Sequence, residues 1–334
     1  VEPENGMQPT TVHEEPEARA VPSSETSHLV VAVPTLHRLD LLARALAGVE
    51  AARSRLTAER PDLSSEVLVV DNDPAGSAAP VASQYGAKHV VESRPGLAAV
   101  RNRALDEAAA ARLLVFLDDD EAPDEEWLTA LTDTWRSFGA QAVAGKVETD
   151  LSDRDADAWV QAVYERPRRE DGQLMPTAAT NNLLLDLDFV RRVGLRFDYR
   201  FGFSGGEDSF FTAQLVQAGG EIRWAEAARV VESVSGERLT RKWLLRRSVR
   251  AWATQLRVEE GLRGSGRNQR LLAGGQLAGQ SLLRLGGGAT LWSVAVLRRD
   301  GHRQGLSART MARGVGGLLA LTQFEDDEYR GRHG

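Results

Sequence analysis

No cysteine occurs in the 334 residues, which removes disulfides, thiolate zinc sites and cysteine nucleophiles together and fits a reducing, cytoplasmic setting. Lysine is nearly missing as well: Lys88, Lys146 and Lys242 stand against 41 Lys+Arg in all. Those 41 bases are outnumbered by 48 acids, for a net charge of −7. Without a general basic field, nucleic acid is not an expected partner. The G-x-x-x-x-G-K-[ST] phosphate loop is absent, as is a G-x-G-x-x-G after the first apolar run, so ATPase and dehydrogenase readings fall. No Ser-His-Asp order supports a serine nucleophile. A secretory signal would need a basic start and an apolar run of roughly 7–15 residues, and the first residues have neither.

Residues 1–27 carry six glutamates, one arginine and Pro3, Pro9, Pro16 and Pro22, and are expected to form a disordered tail. From 28 onward apolar runs alternate with helical spacing. Leu29-Val30-Val31-Ala32-Val33, Val67-Leu68-Val69-Val70, Lys88-His89-Val90-Val91 and Leu113-Leu114-Val115-Phe116-Leu117 read as strands, and 39–52, 78–85 and 96–111 as helices. This predicts an α/β fold, a Rossmann-like, mostly parallel sheet with helices on both faces and ligands beyond the strands' carboxyl ends. Further strands are expected at 142–147, 182–185, 221–224 and 229–231, and a helix at 207–217. Residues 238–260 have the pattern of a basic, aromatic-bearing helix. The 27 residues 271–297 contain one charge, Arg284, and fit either a membrane span or a buried or interfacial helical pair.

Two acidic features carry chemistry. Asp118-Asp119-Asp120 ends a buried strand, where three crowded carboxylates suit a hard divalent cation, Mg²⁺ or Mn²⁺; a solvated turn capping the next helix fits the same residues. Gly205-Gly206-Glu207-Asp208 lets the backbone turn tightly before an acidic helix start, suited to a general base or to a plain helix cap.

The order of these segments adds more than either does alone. Val33-Pro34-Thr35-Leu36-His37-Arg38, Val69-Val70-Asp71-Asn72-Asp73, Gly96 with Val100-Arg101-Asn102, Phe116-Leu117-Asp118-Asp119-Asp120 and Gly206-Glu207-Asp208 follow one another over residues 28–235. In this the chain resembles the family 2 glycosyltransferases of the GT-A fold. The resemblance implies inverting, metal-dependent transfer of a sugar from a nucleotide-diphosphate donor, most simply a UDP-sugar, to a hydroxyl of a small molecule, glycan or lipid-linked acceptor. It also implies roles. Asp120 would bind the metal and Asp118 the donor's ribose side, with Asp119 between them. Pro34, Thr35 and Arg38 would line the nucleotide pocket, Asp71 and Asn72 would lie near the base, and Arg101 would face the nucleotide. Asp208 would be the catalytic base and Glu207 a structural or acceptor-side carboxylate.

Departures from the family pattern leave questions open. Where many relatives have a V-x-H-like segment, this chain has Arg229-Val230-Val231-Glu232, so Glu232 is either a further metal ligand or a surface glutamate. Residues 236–334 are expected to form a helical, basic and glycine-rich extension. Its stretch 236–270 holds ten Arg+Lys against three Glu, which suits an anionic lipid surface, a diphosphate-bearing acceptor or a solvated helix face. A peripheral membrane contact through 238–324, at the inner face of the plasma membrane, is the expected location. A sugar-1-phosphate nucleotidyltransferase would usually place a basic, glycine-rich loop where Pro34 to Arg38 lie. A catalytically silent scaffold would have no need of both Asp120 and Asp208.

Overall fold

A computed structural model describes residues 27–151, 156–201, 205–263 and 267–321. The tail expected to be disordered lies outside them up to residue 26, as does the end of the extension beyond 321. The first half alternates strictly: β1 (Ser27–Thr35), α1 (Leu39–Glu59), β2 (Leu63–Asp71), α2 (Ala79–Gln84), β3 (Lys88–Val91), α3 (Leu97–Glu107) and β4 (Leu113–Leu117). In β1, Leu29, Val31 and Val33 enter one core while Val30 and Ala32 enter the other, so an unbroken apolar run is what a strand covered on both faces requires. α1 buries Leu42, Ala45, Leu46, Val49, Ala52 and Leu56, a stripe at helical spacing. α3 stops at Glu107, earlier than the alanine run suggests.

The second half contains β5 (Glu121–Pro123), α4 (Trp127–Phe138), β6 (Ala142–Asp150), α5 (Ala158–Tyr164), β7 (Leu174–Met175), β8 (Asn182–Asp186), α6 (Leu187–Val193), α7 (Glu207–Gln217) and β9 (Ile222–Ser233). The nine-stranded sheet runs β3-β2-β1-β4-β8-β6-β9-β5, with β7 on β9. β1 to β4 are mutually parallel; β8 is antiparallel to both β4 and β6, and β6 and β9 are parallel again. The fold is therefore the expected α/β sheet, with a reversed strand in its middle.

Three expectations need correction. The two strand pieces at 221–224 and 229–231 are one strand: Gly145 faces Ala225 and Lys146 faces Arg229, so the residues between bulge out of register. Gly145 is needed there, because a Cβ would collide with Ala228 O and the Asn182 side chain. Helices α4 and α6 appear where none was predicted. The stretch 271–297 is not a helical pair but part of one helix, α9, and no helix of the described residues is long and apolar enough to cross a membrane, since glycines and Arg284 dilute it.

After β9 the chain forms α8 (Arg241–Arg263), α9 (Arg267–Leu297) and α10 (Gly301–Ala320). α10 packs on α9, α8 and α5. Its glycines are contact points: Gly305 lies on the Trp159 carbonyl, Gly314 against Leu285 and Ser281, and Gly316 on the Val249 carbonyl, each closer than a Cβ would permit. Trp159, Val160, Tyr164, Val234, Leu244 and Ala308 form a small core joining this helical layer to the sheet.

Candidate active site

β1 lies between β2 and β4, so the parallel strands deliver Thr35 and the Asp118 turn to the same sheet edge. There Thr35 Oγ1 donates to Asp119 Oδ2 at 2.8 Å, and Arg38 Nη1 donates to Asp119 Oδ1 and Asp120 Oδ2, both at 3.0 Å. Burial works against the Arg38 charge, but Asp119 and Asp120 outweigh it and raise its pKa. Burial also raises Asp119, opposed by Arg38 and Thr35. Asp118 is pushed up to about 7, first by burial and then by its neighbours Asp120, Asp119 and Glu232, with Arg101 pulling the other way. These residues line a cavity of about 600 Å³ together with Pro34, His37, Asn72, Glu207, Asp208 and Glu232.

Asp71 does not reach the cavity. It is fully buried, and its carboxylate accepts from the Asp73 and Ala78 amides at 3.0 and 2.8 Å and lies 3.2 Å from His89 Nε2. The Asp71 carboxylate is thus taken up by its own turn, whereas the resemblance sets it with Asn72 near the base. Asn72 does line the cavity, and its side chain holds the next loop, donating to the Glu92 and Arg94 carbonyls and accepting from Gly96 N.

Gly206, also in the cavity lining, takes φ +97° at the start of α7, and a Cβ there would collide with Thr254 of α8. Glu207 is 2% exposed and paired with Arg101, itself nearly as buried. Burial raises the Glu207 pKa, a push that Arg101 opposes, and Glu207 Oε2 has no hydrogen-bond partner. The Arg101 side chain thus meets Glu207 and stacks near Phe197. Asp208 is half-buried, faces the cavity and is steadied by Ser209 N, which donates to its Oδ1 at 2.6 Å.

Residues 30–194 match the family described as Glycosyl transferase family 2. The succinoglycan biosynthesis protein ExoM of Rhizobium meliloti is 30% identical over 312 residues, covering 90% of this chain and 96% of that protein. This chain belongs to glycosyltransferase family 2. Among solved structures, the mannosyltransferase PcManGT from Pyrobaculum calidifontis, in complex with GDP-Man and Mn²⁺, superposes with a TM-score of 0.57 at 18% identity over 91% of each chain. A 1–349 segment of S. aureus TarS gives 0.50 at 15% identity, spanning 69% of this chain and 64% of that one. These likenesses establish the GT-A fold.

In this family 2 glycosyltransferase several cavity residues were not singled out from sequence. Glu121 sits on β5 directly opposite Glu232 on β9. It is buried, accepts from Asn181 Nδ2 at 2.5 Å and leaves Oε2 unpartnered. Burial and then the charges of Asp118 and Glu232 raise its pKa well above the ordinary range. Glu232 is 8% exposed, so it is no surface glutamate; Thr149 Oγ1 and Arg166 Nη2 both donate to its Oε2 at 3.2 Å. Arg166, Arg238, Trp243 and Arg247 also line the cavity, and Arg238 Nη1 donates to Asp120 Oδ2 at 3.3 Å. The basic composition of 236–270 was the signal for the last three, but not for their direction. Among the described residues no three carboxylates or imidazoles are already drawn into a metal cage. The donors are nonetheless all hard oxygens of the kind a divalent cation takes, and one of them, Glu121 Oε2, is buried without a hydrogen-bond partner.

Proposed function

We propose that the chain transfers a sugar, with inversion and with a divalent cation, from a nucleotide-diphosphate sugar to an acceptor hydroxyl, a UDP-sugar being the first donor to test. The glycolipid, polysaccharide-precursor and small-molecule classes are the acceptors considered. Residues 28–235 would carry donor and acceptor, and 236–334 would complete the site from outside. One observation carries this reading. The acid turn after β4 and the Glu207-Asp208 start of α7, remote in sequence, line one cavity whose size suits a nucleotide sugar.

Pro34, Thr35, Arg38 and Asn72 would line the nucleotide side, with Asp118 toward the ribose. Asp120 and Glu232 would hold Mg²⁺ or Mn²⁺, and the Mn²⁺ and GDP-Man in PcManGT support such a pairing of cation and donor in this fold. When bound, the cation supplies Lewis-acid stabilisation of the departing diphosphate. Arg38 and Arg238, both on Asp120, add positive charge at that end. The Arg101–Glu207 pair fixes the start of α7, so that Asp208 is held rigidly enough to take the acceptor's proton as the hydroxyl attacks the anomeric carbon in line with the leaving oxygen. Asp208→Asn keeps the size and removes the proton acceptor. It should lower kcat by about 10²–10⁴-fold while affinity for UDP with Mn²⁺, measured by calorimetry, changes little. Near-normal turnover, or donor loss as severe as in Asp120→Ala, would overturn the assignment, and mass spectrometry over a panel of nucleotide sugars identifies the donor.

A peripheral contact with anionic membrane on the cytoplasmic side completes the proposal. Its support is α9, where Leu283 and Leu297 are 78% and 85% exposed and Leu282 and Leu291 lie bare beside them. Gly275, Gly279, Gly286 and Gly287 meet nothing within 4 Å, and Arg298 and Arg299 follow directly.

A further inference from the structure

The cavity has an acidic floor and a basic rim, and the two come from different parts of the chain. Asp118, Asp120, Glu121 and Glu232 form the floor at the sheet edge. The rim is Arg166, in the segment between α5 and β7, and Arg238, Trp243 and Arg247, in and just before α8. Trp243 has the Arg238 guanidinium 5.8 Å and the Arg247 guanidinium 5.4 Å from its ring centroid, and Arg247 also lies 5.9 Å from the Tyr164 ring. Tyr164 in turn donates its hydroxyl to the Arg238 carbonyl at 2.9 Å, tying α5 to the turn before α8. The rim is thus built from aromatic rings that hold two guanidinium planes in place.

The cavity arginines are not equivalent. Arg101 is sealed against Glu207, and Arg38 is held by two carboxylates at once, Asp119 and Asp120. Arg166 and Arg247 are exposed at the mouth. Arg166 leans on Glu232 and Arg238 on Asp120, the two carboxylates assigned above to the divalent cation. A divalent cation held by Glu232 and Asp120 would weaken the attraction that keeps Arg166 and Arg238 on those carboxylates. Forked guanidinium groups match phosphate oxygens in geometry and in charge, and ring stacking reduces the side-chain freedom lost on binding. A neutral glycan would desolvate these guanidinium groups while offering no counter-charge of its own.

Resting on the glycosyl-transfer reading, we propose that Arg166 and Arg247, with Trp243 in contact with Arg247 and Arg238, form an acceptor subsite for a phosphate or diphosphate group. The acceptor is then a phosphate-bearing molecule and not a neutral sugar. The same chemistry could be supplied by the donor's diphosphate, and the test separates the two sources. The full chain is saturated with UDP and Mn²⁺ and titrated with farnesyl diphosphate, farnesol as the neutral control, following tryptophan fluorescence and heat; UDP affinity is measured separately in every variant. Farnesyl diphosphate should bind and farnesol should not. Arg247→Ala and Arg166→Ala should each weaken farnesyl diphosphate by about tenfold, the value of one charge-assisted contact. Arg247→Lys should fall between, and UDP affinity should stay within about twofold of wild type on that scale. Equal binding by wild type and variants, or no binding by wild type, overturns the subsite. A parallel loss of UDP affinity reassigns the arginines to the donor diphosphate and also overturns it. Failure of the wild-type chain to bind UDP with Mn²⁺ refutes the donor reading first, and the subsite with it.

Discussion

The buried pair of Arg101 and Glu207 is the interaction on which the geometry of the proposed base rests, and its removal should be unequal from its two sides. Their side chains are 5% and 2% exposed. Glu207→Gln leaves the guanidinium charged, because arginine does not deprotonate in a protein. Breaking a buried pair in this way costs about 3–5 kcal/mol. The new amide oxygen still accepts from Arg101, recovering about 1 kcal/mol, while its NH₂ group takes the place of an oxygen that already lacks a partner. The expected loss is therefore about 2–4 kcal/mol of a total of about 5–15. In a chain of this size that lowers the melting midpoint by about 3–6 °C. Arg101→Met should cost less. Glu207 then escapes its isolation by taking up a proton, a change that burial already favours. The pair Glu207→Leu with Arg101→Met should recover most of the loss, since an apolar replacement of a buried ion pair is often neutral. Urea denaturation followed by tryptophan fluorescence, run as a double-mutant cycle, measures all three. If Glu207→Gln unfolds within about 0.5 kcal/mol of wild type, or if Arg101→Met is the more damaging change, the pair does not anchor α7 as argued.

Three further outcomes test other parts of the structure. Asp120→Ala should abolish turnover and sharply weaken nucleoside diphosphate binding, and EDTA should reproduce the effect; full activity in EDTA would refute the cation's role. The protein should bind anionic vesicles and release at high salt, and Leu283→Asp with Leu291→Asp should weaken binding, so that vesicle flotation unchanged in that variant removes α9 from the contact. Asn182 accepts from Trp127 Nε1 at 2.8 Å and donates to the Ala228 and Lys146 carbonyls at 2.8 and 3.1 Å. Asn182→Leu strands all three and should cost about 2–4 kcal/mol in denaturant unfolding, and a loss below about 1 kcal/mol would contradict that count.

The parallel half of the sheet was legible because its signal is local. Strands buried on both faces must be apolar throughout, and Leu113 to Leu117 and the core of β1 are. What the run 182–185 could not disclose was its place: nothing in Leu183-Leu184-Leu185 says that it lies antiparallel between β4 and β6. α4 was missed although Trp127, Leu128, Leu131 and Trp135 carry helical spacing, because Thr129, Thr132 and Thr134 between them are poor helix formers. Those threonines are buried by the tertiary structure, and Thr132 gives its hydroxyl back to the Leu128 carbonyl. Asp71 shows the opposite failure. A carboxylate at a strand end has the pattern of a ligand contact whether it points into the cleft or folds back onto its own turn, and only the structure reveals that it folds back.

The extension separates two properties that composition had merged. Ten bases in 236–270 suggested one basic surface, suited equally to lipid or to a diphosphate. Among the described residues those bases differ in direction. Arg238 and Arg247 turn into the cavity, and Arg241 pairs with Asp157 and stacks on Trp159. The exposed apolar surface lies on the 271–297 part of α9, whose one charge, Arg284, is turned onto the Trp252 ring at 4.1 Å. α10 lies between the two through its glycine contacts, touching both α8 and α9. A helix that completes the cavity and a helix that leaves apolar surface bare are thus joined in one packed layer.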